Sequence, residues 1–219
     1  MNKRLLFWGG IFGPTAFLLN DIIGGIVTPN YSYIENTISD LTKAGTQHTY
    51  LLGSIILLIS ALMGIAFGIG IISRFQYKHA KLVFLGGLFL VIIGIFTGLT
   101  GTIFPQDPIG QELTFPGTVH IILVGISLLL TFPALLMIGI GLDKTNDWRA
   151  FRLYTFISVI ISFIFGGLSA ILAFNEIALL GLVERISVYT IQIWIAILAY
   201  RLITEERRVQ IDLETNSSN

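Results

Sequence analysis

The sequence predicts an all-α, polytopic membrane protein with six transmembrane helices, both termini cytoplasmic, and a short amphipathic helix in the first outer loop. Three observations carry this prediction. Hydrophobic residues make up 54% of the 219-residue chain and charged residues only 12%, and the mean hydropathy is +0.83, a balance foreign to a soluble domain of this size. Six apolar runs are each long enough, at about 1.5 Å per residue, to cross a hydrocarbon core of roughly 30 Å. Finally, Lys and Arg are gathered on alternate connections between those runs.

Taken in order, the runs are Leu5 to Val27, Tyr50 to Ile72, Leu82 to Phe104, Val119 to Leu142, Leu153 to Phe174 and Glu184 to Ile203. The first follows Lys3 and Arg4 as a signal peptide would. It is too long for one, contains Asp21 and has no small-residue cleavage site, so it reads as a retained helix. Residues 1–203 then form a single six-helix domain. The stretch 204–219 is polar and charged with no apolar period, which predicts a solvated, partly disordered cytoplasmic tail.

Orientation follows from the basic residues, because cytoplasmic loops retain them. One set of connections carries Lys3, Arg4, Arg74, Lys78, Lys81, Lys144, Arg149, Arg152, Arg201, Arg207 and Arg208; the other carries Lys43 and Arg185, eleven against two. A multi-pass protein of the cell membrane with both ends inside is the expectation. The formal net charge is zero, which removes the electrostatic case for nucleic acid. There is no Cys, so disulfides and thiolate chemistry are excluded. No cofactor motif and no metal-ligand spacing is present, and none of G-x-S-x-G, H-E-x-x-H or a His pair at ligand spacing occurs.

Small and polar residues recur at helical spacing and mark the packed faces, since helices in lipid associate through close backbone approach and hydrogen bonds. Examples are Gly10, Pro14, Phe17, Asp21 and Gly24 in the first run, Ser60, Gly64 and Gly68 in the second, and Gly87, Gly94, Gly98 and Gly101 in the third. Gly117, His120, Ser127 and Thr131 follow in the fourth, Ser158, Ser162 and Gly166 in the fifth, and Arg185, Tyr189 and Gln192 in the sixth. The ionisable members Asp21, His120, Glu184 and Arg185 all fall toward one end. A charge at membrane depth usually faces the interior and finds a partner. The centre and the opposite end hold almost nothing ionisable, which argues against a proton or ion relay across the whole bilayer.

The stretch "YSYIENTISDLTKAG", Tyr31 to Gly45, separates the first two runs. Ile34, Ile38 and Leu41 lie at i, i+4 and i+7, the pattern of a short amphipathic helix ended by Gly45. Its other face would present Asn36, Ser39 and Asp40 toward His120 and Arg185. The second outer loop, "FPQDPIGQELTFPGTVH", gathers Pro105, Pro108 and Pro116 around Asp107 and leads straight into His120.

"FGPTAFL", "YSYIENTISDL", "FPQDPIG" leading into "TVHIILVGIS", and "GLVERISVYTIQIWIAILAYRL" occur in that order. Together they resemble the prokaryotic membrane family catalogued as domain of unknown function number 998, from about Leu5 to Arg201. The resemblance implies six helices and an outward polar cluster, and brings no established activity. Ile38, Ser39 and Asp40 also resemble an element of the Frag/DRAM/Sfk membrane proteins, some of which are linked to lipid or glycolipid-anchor remodelling.

Three readings of the cluster stand side by side. In the first, Asn36, Ser39, Asp40, Asp107, His120, Glu184 and Arg185 bind a membrane lipid or lipid-like amphiphile, with Arg185 on a phosphate or carboxylate. In the second, the protein is an intramembrane hydrolase or transferase acting on a lipid. His120 is then the general base oriented by Asp40 or Asp21, with Ser39 or water as nucleophile, and a hydrolytic metal site of His120, His48 and the outer carboxylates is a variant of this. In the third, the cluster is structural and the protein works through a protein partner or a homo-oligomer.

Overall fold

A computed structural model describes residues 3–43, 45, 50–108, 111–142, 148–175 and 178–217. Its α-helices are α1 (Lys3–Phe7), α2 (Gly9–Val27), α3 (Leu58–Arg74), α4 (Lys81–Thr102), α5 (Phe115–Leu142), α6 (Arg149–Phe174) and α7 (Leu180–Ser217). Helices α1 and α2 form one span interrupted at Trp8, and a π-helical segment, Tyr50–Leu57, leads into α3. The result is all-helical among the described residues, with six helices long and apolar enough to cross a membrane.

Each span packs on its neighbours in sequence, and α2 packs on α7, so the bundle closes into a ring. The approach is close because the seams lack side chains. A Cβ on Gly68 of α3 would press on the Gly87 carbonyl of α4, one on Gly94 on the Ala61 carbonyl, and one on Gly86 on the Ala134 carbonyl of α5. Hydroxyls stitch other seams: Ser60 donates to the Gly13 carbonyl at 2.8 Å, and Ser162 and Ser187 donate to each other's carbonyls at 3.1 and 2.9 Å. Such bonds are worth only about 0.6 kcal/mol each in a membrane protein. Close packing along the glycine seams therefore contributes more to holding the bundle together. The outer surface is the converse: Leu129 is 72% exposed and Phe163 65%, tolerable only where lipid rather than water meets them.

The helices overrun the apolar runs. Backbone hydrogen bonding does not stop where hydropathy does, so α5 starts at Phe115 rather than Val119, α6 at Arg149 rather than Leu153, and α7 at Leu180 rather than Glu184. At the arginine-rich end α7 continues unbroken to Ser217, where an irregular tail was expected from residue 204. Side-chain anchors explain part of that extension: Glu206 pairs with Arg74, Glu205 accepts from Trp148 Nε1 at 2.7 Å, and Arg201 stacks 4.1 Å over the Trp148 ring.

The expected amphipathic helix of the first loop is not formed. Instead the chain turns at residues 33–35 and makes a four-residue 3-10 helix, Ser39–Thr42. Two side-chain bonds enforce the shorter form. The Thr37 N–H donates to Asp40 Oδ2 at 2.8 Å and the Asp40 N–H donates to Thr37 Oγ1 at 3.1 Å, the reciprocal pattern of a capping box. Ile38 and Leu41 are buried beneath it, whereas Ile34 is exposed. Gly45 has φ +79°, a left-handed conformation open to glycine.

Candidate functional site

The first loop is locked onto the start of α7. Leu182 N–H, unsatisfied within the first helical turn, donates to the Ile34 carbonyl at 3.0 Å, and Ile38 N–H donates back to Glu184 Oε2 at 2.7 Å. Between them lies Arg185. Its Nε donates to Asp21 Oδ2 at 2.9 Å and its Nη2 to Asp21 Oδ1 at 2.8 Å, a two-bond fork. Nη1 reaches the carbonyls of Tyr33, Asn36 and Gly181 at 2.7, 2.8 and 3.0 Å, and Nη2 also reaches the Tyr31 hydroxyl. The guanidinium lies beside the edge-to-face pair of the Tyr31 and Tyr33 rings, 5.6 and 5.0 Å from their centres. Tyr189 donates to the same Asp21.

This arrangement leaves Arg185 fully occupied. A guanidinium has five N–H donors, and all five face protein acceptors. The Tyr31 hydroxyl donates onward to the Thr37 carbonyl at 2.8 Å. Burial is the main influence on that phenol and holds it above its ordinary range, outweighing the lowering by Arg185, so it stays a neutral hydroxyl. Glycine makes the docking possible, since a Cβ on Gly181 would run into the Asn36 carbonyl, and one on Gly25 into the Tyr33 ring.

Beneath the loop lies a cavity of about 240 Å³. Three helices line it with regular faces: His120, Val124, Ser127, Leu128 and Thr131 from α5; Glu184, Val188, Ile191, Gln192 and Ile195 from α7; Leu90, Ile93, Thr97 and Thr100 from α4. Phe17 and Asn20 of α2 and Leu57 complete the wall, and Ile38, Ser39 and Thr42 of the loop form the roof. From Glu184 to Ile195 the lining extends about 16 Å along α7, roughly one leaflet of a 30 Å hydrocarbon core. The wall is mostly apolar, with its polar groups spaced along it.

The expected site residues separate into two groups. Ser39, His120 and Glu184 line the cavity. Asp21 and Arg185 are paired with each other outside its lining, and the remaining three hold loops. Asn36 Oδ1 accepts from Ser32 N–H at 2.9 Å. Asp40 caps its own turn, with Oδ1 3.7 Å from Lys43 Nζ. Asp107 accepts from Thr114 N–H and Oγ1 at 2.7 and 2.8 Å and so fixes the cap of α5. The idea of Asp40 or Asp21 orienting His120 gives way here: His120 Nδ1 faces the Phe104 carbonyl at 2.8 Å, and that carbonyl, an acceptor only, requires the proton on Nδ1. Among the described residues no three His, Asp or Glu side chains converge as metal ligands; His48 lies outside the described residues.

The sequence reading missed Asn20, Thr97 and Thr100. Asn20 is buried, and its Oδ1 has no hydrogen-bond partner, a costly state for an amide. The signal for Thr97 and Thr100 was their i, i+3 spacing between Gly94 and Gly101. The signal for Asn20 was a second polar residue beside Asp21 in an apolar run.

Against known proteins, residues 11–201 match the family described as "Protein of unknown function (DUF998)". The chain belongs to that family. Neither a curated protein nor a solved structure matches it, and the more distant similarity to the Frag/DRAM/Sfk proteins finds no support in these comparisons.

Proposed function

We propose that this DUF998 member sits in the cell membrane with the first loop outward and both termini cytoplasmic, and that it binds a lipid-like amphiphile in the cavity beneath that loop. The observation that carries the reading is the cavity wall itself. A long, mostly apolar hollow with Glu184, Asn20 and Ser39 near its roofed end suits a molecule with one polar end and a hydrocarbon body. The unpartnered Asn20 Oδ1 adds weight, because a buried amide oxygen that gains a donor only when a ligand arrives contributes directly to affinity. Catalysis draws less support: the partner of His120 Nδ1 is a backbone carbonyl rather than a carboxylate, and Asp21 and Asp40 are engaged elsewhere. Arg185 is assigned the role of clamp, not headgroup ligand.

Native mass spectrometry of protein released from mild detergent tests this. Wild type should retain a defined amphiphile, Ser127→Phe should lose it by filling the cavity, and Leu129→Ala on the lipid-facing surface should keep it. A folded wild type with no adduct, or an adduct held equally by Ser127→Phe, refutes the proposal.

A further inference from the structure

The charge and hydrogen-bond inventory of the cavity discriminates between amphiphiles. Among the described residues no Lys or Arg lines it, and Glu184 is the one carboxylate of that lining. The two basic residues of this end are committed elsewhere: Arg185 to Asp21, Tyr31 and three carbonyls, and Lys43 beside Asp40. An anionic headgroup would thus be buried next to Glu184 with no counter-charge, a strongly unfavourable arrangement in a low-dielectric wall.

Hydroxyl geometry points the same way. Thr97, Thr100 and Thr131 each donate their single proton to a carbonyl of their own helix, at 2.9, 3.0 and 2.8 Å, and Thr42 donates to the Ser39 carbonyl at 3.2 Å. What these four offer the cavity is lone pairs. His120 has its Nδ1 proton on the Phe104 carbonyl. Asn20 Oδ1 is a buried acceptor awaiting a donor. Neutral donors remain on Ser39, Ser127, Gln192 and the Asn20 amide nitrogen, but the balance is toward acceptors around one carboxylate.

A place for the hydrocarbon is also present. Phe17 and Gln192 line both the central cavity and a second hollow of about 260 Å³ between α2 and α7, whose other walls include Pro14, Leu18, Ile193 and Ala196. Leu18 and Ile193 are exposed on the lipid-facing surface. Pro14 removes a backbone hydrogen bond from α2 at this level. From Glu184 to Gln192 is about 12 Å along α7.

We infer that the ligand is a cationic amphiphile: its ammonium group pairs with Glu184 and its chain runs past Phe17 and Gln192 toward the hollow between α2 and α7. This rests on the amphiphile reading above and narrows it to one headgroup class.

The probes are dodecylamine and dodecanoate, titrated separately into the purified full-length protein and read by native mass spectrometry. Wild type should bind the amine at least about tenfold more tightly than the carboxylate, the effect of one charge-assisted hydrogen bond in a buried site. Glu184→Gln, which keeps an acceptor for Ile38 N–H, should erase that preference, and Ser127→Phe should abolish binding. If Glu184→Gln does not fold, the wild-type preference and Ser127→Phe decide. Dodecanoate bound as tightly as the amine overturns the inference while leaving the amphiphile reading intact. Amine binding that survives Ser127→Phe overturns it as surface adsorption. Binding of neither probe by a folded protein that still carries its own adduct overturns the headgroup class, and the same result with no adduct overturns both readings.

Discussion

Replacing Arg185 by Met should destabilise the protein more than any other single change at the loop end. Its side chain is 7% exposed and that of its partner Asp21 1%, so removing the cation leaves a carboxylate buried with only the Tyr189 hydroxyl beside it. Breaking a buried pair from one side costs about 3–5 kcal/mol. The Tyr33 and Asn36 carbonyls lose their donor as well, so the first loop should come away from α7. Lys43→Ala is the control: its side chain is 27% exposed and its ammonium stands 3.7 Å from Asp40 Oδ1, while Asp40 keeps its bond from the Thr37 N–H, so the loss should be smaller than for Arg185→Met. The assay is thermal unfolding in detergent followed by tryptophan fluorescence, with limited proteolysis of the first loop beside it. A double variant, Asp21→Leu with Arg185→Met, should recover much of the loss, because an apolar pair avoids the buried lone charge. Arg185→Met within about 1 kcal/mol of wild type, or no better stability in the double variant, would refute the reasoning that the guanidinium is a dry clamp.

Three further outcomes are expected. Asn20→Leu should leave unliganded stability unchanged or raise it, since it removes an unpaired buried amide oxygen, while weakening retention of the bound amphiphile; a large fall in the melting temperature of the ligand-free protein would contradict this. Gly181→Ala should cost about 1–3 kcal/mol by forcing a Cβ against the Asn36 carbonyl, and faster hydrogen exchange at residues 33–42 should accompany it; unchanged exchange would mean that the loop docks elsewhere. A reporter fused after Asn219 should be active in the cytoplasm, and activity on the outer side would reverse the proposed orientation.

Much of the architecture was legible in the residue pattern, because in lipid every backbone polar group must be satisfied within its own helix. Hydropathy therefore located all six spans, and the glycines at helical spacing marked seams such as Gly68 against Gly87. Thr37 and Asp40 also carried a local signal, a Thr three residues before an acid, and it specified a capped turn in place of the amphipathic helix that the spacing of Ile34, Ile38 and Leu41 suggested. Local bonds between a side chain and a backbone three residues away outcompeted a marginal hydrophobic period. In the tail, polarity was a poor guide, because Trp148 and Arg74 supply partners for Glu205 and Glu206 that lie far away in sequence.

What the amino-acid sequence determined by itself, then, was the solvent, the number of spans and the end at which ionisable groups gather. Which groups pair was decided by closure of the ring, which brings α2 against α7 and places Asp21 beside Arg185, 164 positions away. That closure commits the guanidinium expected to meet a phosphate to Asp21 and to the carbonyls of the first loop, and leaves Glu184 facing an interior hollow. A pairing of this kind depends on where helix faces meet, and no local periodicity contains that information.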